Sequence, residues 1–140
     1  VAVPGPSSNP AKNFPDQRSG FFNLNTFAFV AYAALVTYLS LDTLPPVAVL
    51  AIPHMDKVIH MLTYFVFAVL GYRMVATRKG FVAMSAGIAA YSGLMEIAQS
   101  LNPDRMTSIA DLGANVLGVV TAFMLLNCSA PFRNFVAARD

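Results

Sequence analysis

The sequence predicts an all-α fold: an integral membrane bundle of four transmembrane helices with both termini in the cytoplasm. Three observations lead there. Of 140 residues, 56% are hydrophobic and only 11% are charged, and the mean hydropathy is +0.59, too apolar for a water-soluble domain of this size. The apolar residues gather in four windows, each close to the roughly 20 residues that cross a hydrocarbon core about 30 Å thick. Lysine and arginine fall in alternate connections, which sets an orientation.

Taken in chain order, VAVPGPSSNPAKNFPDQRSG (1–20) is a polar tail rich in proline and serine, neither a cleavable signal peptide nor a span. The sequence begins at Val1, so initiator removal or other trimming is expected, with the first apolar helix serving as the insertion signal. That helix, 22–41, ends at Asp42 and the pair Pro45 and Pro46. The second, 57–76, runs into Arg78, Lys79 and Gly80; the third, 80–99, stops before Asn102 and Pro103; the fourth, 109–127, stops before Pro131. The membrane domain thus covers 21–128, followed by a short tail, 129–140. A three-helix count would demote the fourth window for its Asp111 and Asn115, but would leave GVVTAFMLL without a role.

With four spans, Lys12 and Arg18, the connection holding Arg73, Arg78 and Lys79, and Arg133 and Arg139 share one side. The other side has only Lys57 and Arg105. Loops 42–56 and 100–108 are therefore expected to face outward. A net charge of +2, with no interleaving of basic and aromatic residues, argues against nucleic acid as a partner. The lone cysteine, Cys128, excludes an internal disulfide.

Helical spacing gathers the scarce polar residues at the outer side. Asp56, His60 and Tyr64 are four apart and form one stripe on the second helix; Glu96 and Gln99 lie near the outer end of the third; Asp111 and Asn115 lie near the outer start of the fourth. Gly118 and Ala122 continue the stripe on the fourth helix with residues small enough for close helix contact. Four acids, Asp56, Glu96, Asp104 and Asp111, face two bases, Lys57 and Arg105. Unpaired acids in a span cost about 3 kcal/mol at mid-membrane, so these groups are expected to pair. Arg105, with its bidentate guanidinium, is the expected clamp on Asp111 or Glu96.

At these residues the chain resembles the VanZ-like family of small polytopic membrane proteins. DKVIHMLTY (56–64) and EIAQSLNPDRMTSIADLGANVLG (96–118) look like that family's pattern D-K-x-x-H-x-x-x-Y, then E-x-x-Q, a proline-containing turn with an arginine, then D-x-x-x-N-x-x-G. The matching positions are Asp56, Lys57, His60, Tyr64, Glu96, Gln99, Arg105, Asp111, Asn115 and Gly118; Asp104 departs, since a glycine before the arginine is commoner. The resemblance implies a multi-pass protein of the bacterial cytoplasmic membrane. It also implies a link to glycopeptide resistance of the teicoplanin type, although most members have no established activity.

Three readings of the polar cluster stay open: a hydrogen-bonded lock between helices, a binding site for an envelope ligand, and a catalytic site with His60 and Glu96 as acid and base. Neither a cofactor nor a metal is expected, because one histidine with oxygen ligands at helical spacing is a weak metal signal. Ser92 and Ser108 lack the surroundings of an activated nucleophile, and His54 reads as an exposed loop residue. Phe21, Phe22, Phe27, Phe29, Tyr32 and Tyr38 of the first helix read as lipid-facing and interfacial anchors. That helix has no ionisable residue between Arg18 and Asp42 other than its tyrosines. Besides the bilayer, then, the expected partner is a larger membrane assembly, contacted through helix 22–41 and the N-terminal tail.

Overall fold

The computed structural model describes residues 24–41, 53–75, 77–101 and 108–128. The predicted tails 1–20 and 129–140, most of the loop 42–56, and the turn with Asp104 and Arg105 lie outside the described residues. Those described form four α-helices and no strand: α1 (Leu24–Leu41), α2 (Met55–Tyr72), α3 (Arg78–Ser100) and α4 (Ile109–Cys128). All four are long and apolar enough to cross a membrane. Few of their residues are buried, and many large apolar side chains face outward, as a lipid solvent allows: Phe27, Leu62, Leu94, Ile97, Leu117 and Met124 are all more than half exposed.

The helix ends follow local chemistry. Asp56 sits in the first turn of α2 and Asp111 in the first turn of α4, where the positive end of the helix dipole favours a carboxylate. Ser108 Oγ accepts from the Ala110 N–H at 3.1 Å and caps α4. Thr77, extended at φ −131°, caps α3 by accepting from the Gly80 N–H at 3.0 Å. This cap starts α3 at Arg78, before the Gly80 that the sequence suggests. α2 in turn ends at Tyr72, four residues short of the predicted end, where Arg73 and Met74 turn the chain.

The helices run alternately up and down, so α2 and α4 are parallel to each other and start at the same end. They also make the most extensive packing contact in the molecule. Its basis is Gly118, buried on α4, where a methyl group would overlap the Met61 carbonyl oxygen of α2 and lie 3.0 Å from the Phe65 nitrogen. Only a residue without a side chain lets the backbones approach so closely. Ala122, fully buried one turn on, extends the seam.

An aromatic hub fills the middle of the bundle. Phe67 lies with ring centroids 4.9 Å from Phe29, 5.7 Å from Tyr32, 6.3 Å from Tyr64 and 5.6 Å from Tyr91. Phe29 and Tyr32 are therefore core-facing, correcting their expected place on the lipid surface. Phe27 and Tyr38 do face outward, and Phe21 and Phe22 lie outside the described residues. Toward the other end, Phe81 is buried between Tyr72 and Phe123, at 5.0 and 5.3 Å.

Polar contacts tie α1 to this bundle at several depths. Tyr32 donates to the Thr63 carbonyl at 3.0 Å; the Thr37 and Tyr91 hydroxyls lie 2.6 Å apart and both reach the Ala33 carbonyl. Arg73 Nε donates to Asn25 Oδ1 at 2.9 Å at one end, and Gln99 Nε2 donates to the Ser40 carbonyl at 2.8 Å at the other. In hydrocarbon these groups have no water to turn to, so pairing them holds the helix in one rotation.

Two glycine substitutions test this packing with opposite signs. Gly118→Ala is expected to lower stability by about 1–3 kcal/mol, the usual range for overpacking. Gly93→Ala, whose new methyl group meets open space, should be neutral or stabilising by up to about 1 kcal/mol through helix propensity. Thermal unfolding of both variants in detergent checks the pair.

Candidate functional site

The polar end of the bundle is made by the start of α2, the end of α3 and the start of α4. Lys57 Nζ lies 2.7 Å from Asp56 Oδ2 and 3.0 Å from Asp111 Oδ1, so one ammonium bridges two carboxylates and joins α2 to α4. Asp111 is the more enclosed acid, its side chain 14% exposed against 45% for Asp56. Arg105, the expected clamp, lies outside the described residues; among those described, the cation on Asp111 is Lys57.

One turn deeper, a second chain of contacts joins three helices. His60 Nδ1 of α2 lies 3.0 Å from Asn115 Oδ1 of α4, and Asn115 Nδ2 donates to Glu96 Oε1 of α3 at 3.5 Å. Asn115 is 1% exposed, so this amide sits at the centre of the bundle while His60 and Glu96 are half-buried. The donor order follows from the acid. An ionised Glu96 can only accept, which turns the Asn115 amide nitrogen toward it and its oxygen toward His60. With Asn115 Oδ1 turned toward it, His60 donates from Nδ1, and its Nε2 makes no hydrogen bond within the described residues.

Tyr64, a turn further in on the same stripe, is 2% exposed, and its hydroxyl has no hydrogen-bond partner among the described residues. The remaining predicted residue, Gln99, is buried but turns away from this cluster to the Ser40 carbonyl of α1. The structure thus brings together Asp56, Lys57 and Asp111 in one group and His60, Asn115 and Glu96 in a second, with Tyr64 beneath.

Other chemistry-bearing side chains are engaged elsewhere. Ser92 is fully buried and donates to the Ala89 carbonyl at 2.8 Å, while Ser108 caps α4. His54, exposed, takes up a left-handed conformation at φ 63° just before α2. Cys128 is exposed at the end of α4. Among the described residues, no three His, Cys, Asp or Glu side chains gather closely enough to hold a metal ion. The contacts of α1, through Ser40 and Thr37, were not legible from spacing; the signal available was its run of Asn, Thr, Tyr and Ser on an otherwise apolar helix.

Against known proteins, a family model described as VanZ/LLP1 matches residues 3–130. The chain finds no match among curated proteins or among solved structures.

Asn115→Ala removes the amide that serves both His60 and Glu96, and a loss of about 1–3 kcal/mol is expected for polar groups left unpaired. Thermal unfolding in detergent reads it. Lys57→Met should destabilise by stranding Asp111, and Lys57→Met combined with Asp111→Asn should recover part of the loss; additive effects in this double-mutant cycle would show that the pair is not coupled.

Proposed function

The chain belongs to the VanZ/LLP1 family, and from that premise we propose that it is a multi-pass protein of the bacterial cytoplasmic membrane that binds an envelope ligand at its polar end without transforming it. In this reading the polar end faces outward, as the distribution of lysine and arginine suggests. The supporting observation is the unequal pairing of the cluster. A lock that served only to hold helices would satisfy its members among themselves, and Lys57 with its two aspartates does so. The His60–Asn115–Glu96 chain does not: His60 Nε2 and the second oxygen of Glu96 make no hydrogen bond within the described residues. Polar capacity left open in a membrane protein is a mark of a ligand or substrate path.

The outward surface of α1 supports an accessory role in a larger membrane assembly. Leu24, Phe27, Val30 and Tyr38 on that helix are each more than half exposed, a broad apolar face open to another helix or to lipid. Recovery of a lone monomer in mild detergent would count strongly against the subunit role.

A second reading is an enzyme that modifies an envelope lipid or a peptidoglycan precursor, with His60 and Glu96 as acid and base. It is favoured by His60 Nε2, which makes no hydrogen bond within the described residues and so is open to proton transfer. A contribution to glycopeptide resistance is compatible with either reading. Substituting His60→Ala and Glu96→Gln separates them. Binding predicts variants that fold and accumulate normally but no longer retain a polar envelope ligand on purification. Catalysis predicts a folded protein with lost turnover of envelope lipids, and a pure lock predicts lower abundance and melting temperature with no ligand retained even by the unsubstituted chain.

A further inference from the structure

The end of the bundle opposite the polar cluster carries a different chemistry. There α1 begins, α2 ends and α3 begins, and Tyr72 of α2 meets Phe81 of α3 with ring centroids 5.0 Å apart. Three fixed cations, Arg73, Arg78 and Lys79, lie at this junction, the last two exposed. The described acids, Asp56, Glu96 and Asp111, all belong to the polar end. Among the described residues, then, the junction holds positive charge and no carboxylate.

A groove of about 370 Å³ opens here between α1 and α2, lined among the described residues by Leu24, Asn25, Ala28, Leu70 and Arg73. Its rim and its floor differ. Asn25 and Arg73 stand at the rim, where Arg73 Nε donates to Asn25 Oδ1 at 2.9 Å. A guanidinium carries five N–H donors in one plane; the bond to Asn25 uses one of them and sets the orientation of that plane. Ala28 and Leu70 lie about one helical turn deeper, on the apolar spans themselves.

We propose that this groove receives an anionic phospholipid, its phosphate on the Arg73 guanidinium and the upper part of an acyl chain against Leu24, Ala28 and Leu70. Guanidinium and phosphate match as a planar fork and its acceptor, and basic pockets between spanning helices hold acidic headgroups. Arg78 and Lys79, on the neighbouring element, favour a headgroup of net negative charge over a zwitterionic one. A free phosphate would meet the same charge but gain nothing from the apolar floor, so the occupant is a lipid. The site stands apart from the polar end and does not depend on what binds there.

The test uses the full chain in nanodiscs of equal phosphatidylcholine and phosphatidylglycerol, released into detergent, with retained lipid read by native mass spectrometry. An enrichment of phosphatidylglycerol of about tenfold is expected, the scale of one charge-assisted hydrogen bond. Arg73→Gln should abolish it, and Arg73→Lys, which keeps the charge but loses the fork, should keep only part of it. Ala28→Phe fills the groove while leaving Arg73 and Asn25 in place; it should also abolish the enrichment, and it decides the matter if Arg73→Gln does not fold. Enrichment that survives both Arg73→Gln and Ala28→Phe but is lost when Arg78 and Lys79 are both replaced by glutamine would overturn the groove as the site, because attraction to a basic surface would then account for it. Equal retention of the two lipids by the unsubstituted chain would overturn the proposal as well. Displacement of the retained lipid by millimolar inorganic phosphate would overturn a lipid as the occupant.

Discussion

The polar end depends on how closely α4 can lie against α2. Gly118 allows that approach, since its missing side chain is what makes room for the Met61 carbonyl. Asn115, three residues before Gly118 on α4, and Asp111, a further turn toward the polar end, can then reach His60 and Lys57 across the same seam. These contacts are short-range, and a hydrogen bond at 3.0 Å does not survive a shift of an ångström in the helix axes. The seam and the site are therefore one design: small residues bring the backbones together, and the polar side chains use the proximity.

The membrane sets the second constraint. Lipid tails are as apolar as leucine, so α1 gains little from burying its leucines and phenylalanines against the bundle. What fixes its position is a set of hydrogen bonds, donated by Tyr32 to α2, accepted by Ser40 from α3 and by Asn25 from Arg73, and shared between Thr37 and Tyr91 of α3, together with the fit of Phe29 and Tyr32 around Phe67. Gln99 belongs to this set. It lies one turn from Glu96 in sequence yet works as a tie to α1, leaving the cluster to Glu96 and Asn115.

Much of this was legible in the sequence because hydropathy and helical spacing are properties of single helices. Four spans follow from apolar length, and the stripe of Asp56, His60 and Tyr64 follows from a spacing of four. What spacing cannot fix is the rotation of each helix against its neighbours. It placed Phe29 and Tyr32 on the lipid surface because an aromatic on an apolar helix suits lipid and core equally well. The reach of Lys57 to Asp111 likewise emerges only once α2 and α4 are parallel and in register, while the expected clamp, Arg105, lies outside the described residues. The end of α2 was misjudged for a related reason: residues 73–76 continue the hydropathy of the helix, and the break comes from the turn that the Thr77 cap of α3 imposes.

Asn115 shows why the inner half of the cluster takes the form it does. A direct pairing of His60 with Glu96 would bury two charges, and the desolvation of both would offset much of their attraction. An amide between them is neutral, satisfies an acceptor on one side and a donor on the other, and can be fully enclosed at modest cost. It also holds the imidazole and the carboxylate apart in fixed orientations, so that neither neutralises the other. The consequence is a carboxylate and an imidazole that are held in place but remain chemically available. A bundle that needed only rigidity could have been locked with the amide alone, and the ionisable groups on either side of it are where binding chemistry can act.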